Sequence, residues 1–166
     1  MKYPKPIIML AALIITFAIG FYAGLITPSS EAGDVVQASS RLYTFFDLLD
    51  AIEQVESRGN PNAIGPDGEV GSFQIKLIYL CDVNWIIGDG RYEHLDRLSP
   101  VLSREMVKIY LKYWYRRHCD PPTLHIESGS IGVWEPYARI HNGGPNGYKK
   151  ESTKSYWLKV KAELEK

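Results

Sequence analysis

Twenty consecutive residues, Ile7 to Ile26, carry a single clearly polar side chain, Thr16. A helix of that length rises about 1.5 Å per residue and reaches roughly 30 Å, the hydrocarbon thickness of a bilayer. Lys2 and Lys5 precede it and no acid occurs before Glu31. That charge order puts the N-terminus in the cytoplasm and everything after the run outside. Pro4, Pro6 and the flanking lysines argue against a buried core helix. A cleaved signal peptide is the alternative, but its apolar core is usually roughly 7–15 residues with a small-residue cleavage site close behind. Here the core is longer, and the best such site, Val36-Gln37-Ala38, lies well past its end. The chain therefore divides into an N-terminal membrane anchor or signal (1–27), a linker (28–40) weakly patterned in Ser, Ala and Gly, and a domain over 41–166.

The 126 residues from Arg41 to Lys166 are enough to bury a real core. With Lys2 and Lys5 set aside, 17 basic and 19 acidic side chains remain, a balance of −2. No basic field points to nucleic acid. Lys149, Lys150, Lys154, Lys159 and Lys161 form a local basic patch, read first as a solvated helix face and second as an attraction for an anionic polymer or membrane surface. Two cysteines, Cys81 and Cys119, do not have metal-ligand spacing. Outside the cytoplasm two thiols in one domain often join, so a Cys81–Cys119 disulfide is expected, with two separate buried thiols as the alternative.

Leu42, Phe45, Phe46, Leu49, Ile52 and Val55 recur at helical spacing, predicting an amphipathic helix from Arg41 to about Ser57 that Gly59-Asn60-Pro61 ends. Residues 60–71 read as a loop or short hairpin turning at Pro66-Asp67-Gly68. Ser72 to about Leu80 reads as a short second helix, although Phe73-Gln74-Ile75 also suits an extended chain, and 82–98 reads as irregular. Ser99-Pro100 starts a third helix that Pro121-Pro122 forbids from continuing. Trp134, Tyr137, Ala138 and His141 share a face of a fourth, and Tyr156, Val160 and Leu164 mark the last. The expected fold is mainly α, several short helices around a cleft with one small turn-rich or hairpin insertion.

Within that frame one acid stands out. Leu48, Ile52 and Glu56 are four apart, so Glu56 sits at the edge of an apolar face, beside a Gly/Pro/Asn turn able to shape a cleft. A carboxyl group there is partly desolvated, and desolvation disfavours the charged form. A carboxylic acid that keeps its proton can give it to a leaving oxygen, which is the chemistry of glycoside cleavage. The competing reading is a solvent-facing carboxylate near a helix C-terminus, a placement the helix dipole disfavours. Metal and cofactor chemistry find no motif: His94, His118, His125 and His141 have no His-x-x-x-His spacing, and neither a nucleophile elbow nor a P-loop is present. No cofactor or metal is expected.

Three ordered motifs carry a resemblance: Val55-Glu56-Ser57, then Gly71-Ser72-Phe73-Gln74-Ile75-Lys76, then Ala138-Arg139-Ile140-His141-Asn142-Gly143-Gly144-Pro145-Asn146-Gly147 followed by Thr153-Lys154-Ser155-Tyr156-Trp157. Together they span roughly residues 50 to 160. The pattern is similar to soluble lytic transglycosylases and goose-type lysozymes, and more closely resembles invertebrate-type (destabilase) lysozymes. The chain departs from that family in having only two cysteines and a shorter loop ahead of Phe73-Gln74-Ile75-Lys76. The resemblance implies an α+β lysozyme-like domain with Glu56 as general acid and a catalytic aspartate in that loop. Asp67 is preferred by residue type and Glu69 is the alternative; if neither serves, Glu56 acts alone and the sugar's own 6-hydroxyl attacks.

Other residues take provisional places around Glu56. Ser72 and Gln74 are expected to line the cleft, or else to make helix-start hydrogen bonds. Asn142 either caps a helix or holds an N-acetyl group, and the role of His141 beside it is open. Tyr156 either hydrogen-bonds Glu56 or packs in the core. Trp85, Trp114, Trp134 and Trp157 are candidates to stack on sugar faces, the periodic ones reading first as core and Trp85 as loop-borne. The leading function is a monomeric muramidase cutting the β-1,4 bond between N-acetylmuramic acid and N-acetylglucosamine of peptidoglycan. A lytic transglycosylase on the same bond comes second and a non-catalytic peptidoglycan-binding module third. The resemblance also allows an isopeptidase side activity, for which no separate motif is present.

Overall fold

The first helix shows how local sequence sets the architecture. In the computed structural model, which describes residues 41–119 and 128–166, Tyr43–Thr44 (β1) precedes the helix Phe45–Ser57 (α1). Thr44 Oγ1 accepts from the Asp47 amide at 3.2 Å while Asp47 Oδ2 accepts from the Thr44 amide at 2.7 Å, a reciprocal capping box. The Thr44 amide is the largest cause holding the Asp47 carboxyl below its usual range. So the helix begins four residues later than its apolar period alone suggests, because Thr44 is committed to the cap and β1 pairs antiparallel with Ser128–Gly129 (β2). Arg58 ends α1 in the left-handed region with φ 57°.

The remaining helices are Leu77–Ile87 (α2), Pro100–His118 (α3), Glu135–Gly143 (α4) and Lys154–Leu164 (α5). All described residues belong to the unit Ala38–Lys166. Short 3-10 turns at His94–Leu98, Ile131–Trp134, Gly147–Lys149 and Glu151–Thr153 join them. The fold is mainly helical, as the periodicity predicts, with the small β1–β2 sheet unforeseen. Leu48, Leu49 and Ile52 of α1 meet Met106, Val107 and Leu111 of α3, Ala138 and Ile140 of α4 and Val160 of α5 in one fully buried core around Trp134. Each buried Leu, Ile, Val or Met side chain among these contributes roughly 1.5–3 kcal/mol on leaving water.

Two boundaries differ from expectation. The second helix starts at Leu77 rather than Ser72, because Gly71 has φ 80° and Gln74 has φ 48°, neither of which a right-handed helix accepts. It then continues through Asp82, read as the start of an irregular stretch, because Leu80 and Val83 extend its buried face as far as the Gly88 cap. Residues 60–76 form the turn-rich insertion, held by antiparallel bridges Ile64↔Val70 and Val70↔Ile75.

The buried guanidinium of Arg97 pins this insertion in place. It donates to the Ile75 carbonyl at 2.7 Å and the His94 carbonyl at 3.1 Å, and sits 2.6 Å from His94 Nε2. On the other side, Arg104 pairs with Asp50 at 2.6 Å and with Glu53, and lies 5.4 Å over the Phe73 ring. Arg139, braced within α4 by Glu135 at 2.7 Å, ties that helix to the segment leading into α5 through Thr153 Oγ1 at 3.1 Å and the Lys150 carbonyl at 3.0 Å.

No disulfide joins Cys81 to Cys119, contrary to expectation. Cys81 faces solvent on α2, whereas Cys119 caps α3 and packs half-buried against the core. The C-terminal lysines behave as a solvated face: Lys154 pairs with Glu151 at 2.9 Å, Lys161 with Glu165 at 3.7 Å, and Lys150 Nζ donates to the Gly143 carbonyl at 2.6 Å. The expected membrane segment, residues 7–26, and the linker lie outside the described residues. Among the described residues no helix is long and apolar enough to cross a membrane.

Candidate active site

Glu56 occupies the last turn of α1, four residues after the fully buried Ile52, so the helix carries it to the edge of the core. There it meets a cleft of about 240 Å³. Glu69, Gln74 and Lys76 of the insertion form one wall, Tyr79 and Asp82 of α2 and Tyr110 of α3 a second, and His141 and Asn142 of α4 the third. The Glu56 side chain is 18% exposed.

One oxygen of Glu56 is fixed from behind. The Tyr156 hydroxyl donates to Oε1 at 2.7 Å, and His141 Nε2 lies 3.4 Å from the same oxygen. The Arg139 ties described above set the start of α5 and thereby Tyr156. Burial, reinforced by the nearby Glu56 charge, pushes the Tyr156 phenol well above its ordinary pKa, so it remains a donor. Tyr79 lies 3.4 Å from His141 Nδ1 and stacks on Tyr110 at 3.7 Å between ring centroids. Burial likewise keeps Tyr79 protonated. The two ring nitrogens of His141 thus face the Tyr79 hydroxyl on one side and Glu56 on the other.

The other acids divide sharply. Glu69 is in the cleft wall with its side chain 17% exposed, whereas Asp67 is 73% exposed and lies outside the wall. Turn geometry explains this: the Asp67 amide donates to Glu69 Oε2 at 2.9 Å, folding Glu69 inward and leaving the Asp67 carboxylate at the rim, 3.4 Å from Lys76. Glu69's own backbone amide, and then Lys76 at 3.1 Å, hold its carboxyl below the usual range against the opposing effect of burial, so it is a carboxylate at neutral pH. Asp82 is shifted the other way, upward, by desolvation.

The remaining expected residues fall into three groups. Gln74 lines the cleft, but its amide nitrogen is engaged by the Gly71 carbonyl at 2.9 Å and the Ala63 carbonyl at 3.3 Å, which stabilises its left-handed backbone. Ser72 is buried outside the wall, so it does not line the cleft; its carbonyl accepts from Ser57 Oγ at 2.7 Å. Asn142 is exposed at the lip within the last turn of α4, where Gly144 rather than Asn142 is the cap. Trp134 and Trp157 are core, Trp114 is half-buried, and Trp85 is exposed but carried by α2 instead of a loop. Tyr79, Asp82 and Tyr110 had not been anticipated. Ile78, Tyr79 and Asp82 share one side of α2, a pattern visible only once that helix is given its true start. Among the described residues no cluster of His, Cys, Asp and Glu is arranged to hold a metal ion.

No family model matches the chain. It is 34% identical over 93 residues to Lysozyme 1 of Crassostrea virginica, a match covering 56% of this chain and 44% of that protein. It is 31% identical over 126 residues to invertebrate-type lysozyme 6 of Caenorhabditis elegans, covering 72% of this chain and 86% of the nematode protein. The chain belongs to the invertebrate-type lysozyme family. It thus spans less than half of the oyster relative's length and most of the nematode one's.

Solved structures agree with the family's fold. A chain of the crystal structure of Aeromonas hydrophila PliI in complex with Meretrix lusoria lysozyme superposes with a TM-score of 0.53 at 29% identity, over 69% of this chain and 85% of that one. The 70 kDa soluble lytic transglycosylase SLT70 of Escherichia coli also gives a TM-score of 0.53, at 18% identity over 71% of this chain and 21% of its own. At that identity the second likeness speaks for the fold alone.

Proposed function

We propose that this family member is a peptidoglycan-cleaving muramidase, cutting the β-1,4 bond between N-acetylmuramic acid and N-acetylglucosamine with Glu56 as general acid. The observation that carries this reading is the environment of Glu56: a mostly buried carboxyl at a cleft, with both Tyr156 and His141 on Oε1. The other oxygen is then the one available to a substrate. Membership of a lysozyme family supplies the substrate class. His141 acts as a positioning residue for Glu56, and Asn142 at the lip is suited to an N-acetyl group.

Glu69, ionised and facing the cleft, is the second carboxylate, stabilising positive charge at the anomeric carbon as nucleophile or through a water. This replaces Asp67. Glu69→Gln is expected to lower kcat on purified cell wall by roughly 10²-fold or more. Asp67→Asn is expected to stay within about threefold of the parent, since an exposed carboxylate at the rim contributes little. Equal losses in both variants, measured by turbidity clearing, would remove Glu69 from the role.

A lytic transglycosylase acting on the same bond is a second reading. Its support is the tie of Glu69 to Lys76 at 3.1 Å, which would leave Glu56 to act without a free partner. The products separate the two: a reducing muramic end for hydrolysis, an anhydro end for transglycosylation.

The arrangement we propose along the chain is an anchor or signal in 1–27, a linker in 28–40 and the catalytic domain in 41–166, acting as a monomer outside the membrane. Its support is the apolar run after Lys2 and Lys5. Recovery of the full-length chain from the membrane fraction after alkaline carbonate washing is expected. Release of a shortened chain into the medium would instead indicate a cleaved signal.

A further inference from the structure

The wall of the cleft continues past Tyr110 as a row of aromatic rings. One turn further along α3 stands Trp114, its ring centroid 6.2 Å from that of Tyr110. One more turn brings His118, 5.5 Å from Trp114 and 7° from parallel. On α2, Asp82 lines the cleft and Trp85 lies one turn beyond it, 6.3 Å from Trp114 and 14° from parallel. Tyr148, just past the Gly144 lip, ends the row 6.1 Å from His118 at 27°. Three separate segments thus contribute rings to one stack, in which Trp114 and Tyr148 pack against the core and Trp85 stands at the exposed end.

The Trp85 end of that stack is not core that failed to close. Trp134 and Trp157 are buried, whereas Trp85 is 64% exposed. A large indole kept in water, beside rings of nearly the same orientation, marks a recognition surface. Its edge is cationic. Lys149 Nζ lies 5.1 Å from the Tyr148 ring centroid, and exposed Arg117 stands one turn beyond Trp114 on α3.

We propose that Trp85, braced from behind by Trp114 and His118, forms the exposed end of a second saccharide-binding platform, which receives the glycan strand as it leaves the Glu56 cleft. The apolar C–H face of a pyranose ring stacks on the exposed Trp85 indole, and the cations of Arg117 and Lys149 meet the carboxylates that an N-acetylmuramic acid polymer carries. Continuity with the cleft selects the strand itself as the occupant, and the cationic edge selects an acidic glycan over a neutral one. The identity of the polymer rests on the muramidase reading.

The test uses the full-length chain in detergent with Glu56→Gln, so that saccharides stay intact. Its affinity is measured by titration calorimetry for glycan fragments of peptidoglycan, one shorter than the cleft (a disaccharide) and one long enough to pass Trp85 (an octasaccharide). Adding Trp85→Ala is expected to weaken the octasaccharide roughly tenfold, the scale of losing an interfacial tryptophan, and to leave the disaccharide unchanged. Trp85→Phe, which keeps a flat apolar face, is expected to recover most of the loss. An octasaccharide affinity within twofold of the parent, or equal weakening of both lengths, would overturn the platform while leaving the Glu56 site standing. Binding of neither length by the parent would overturn both.

Discussion

Replacing Glu56 by Gln is expected to reduce kcat on purified cell wall by about 10³-fold, within the range that general acid catalysis contributes. The amide is close to the carboxylate in shape, and its oxygen can still accept from the Tyr156 hydroxyl that now binds Oε1 at 2.7 Å. Folding should therefore be nearly unaffected, with a urea midpoint corresponding to a change of about 0.5 kcal/mol or less. What is lost is the proton. Clearing of a cell-wall suspension at the parent rate by the Gln variant would remove Glu56 as the acid, whatever else the cleft does.

The largest expected effect on stability comes from Gly71→Ala. Gly71 has φ 80°, and a Cβ built on it would lie 2.0 Å from the Arg97 carbonyl oxygen. Gly68 provides an internal control, because it has nearly the same φ, 83°, but nothing within 4 Å of its Cβ position. Gly68→Ala should cost about 1 kcal/mol, the backbone penalty alone. Gly71→Ala must also push the insertion off the 3-10 turn that Arg97 holds, and about 3 kcal/mol or more is expected. It should abolish clearing as well, since Glu69 and Gln74 hang on the same insertion. Urea unfolding of the two variants side by side checks this. A Gly71→Ala midpoint no lower than that of Gly68→Ala would mean the insertion is not clamped as described.

The contrast between these glycines also shows what the sequence could and could not disclose. The position of Glu56 at the edge of a cleft was legible because Leu48, Ile52 and Glu56 follow one helical stripe and a Gly/Pro/Asn turn comes next, two local signals that agree. Ser99-Pro100 was legible for the same reason, a cap and a first-turn proline in register. The second helix was misplaced because its start depends on Gln74 at φ 48°, a left-handed backbone supported by carbonyls of residues 63 and 71. That displacement hid Tyr79 and Asp82. Choosing between Asp67 and Glu69 depended on which way a turn folds its side chains, and the Asp67 amide turning Glu69 inward has no one-dimensional signature. The expected disulfide failed on a similar point, since the expectation of export favours pairing but cannot tell that Cys81 faces solvent on α2. Contacts such as Tyr156 to Glu56, a hundred residues apart, follow from Arg139 and the packing of α5.

The most direct measurement is mass analysis of the fragments released when the parent chain and Glu56→Gln are each incubated with purified peptidoglycan. The account predicts soluble muropeptides ending in a reducing muramic acid from the parent and none from the variant. Fragments lighter by one water, with an anhydro end, would contradict hydrolysis, and fragments from the variant at the parent's yield would contradict Glu56 as the proton donor.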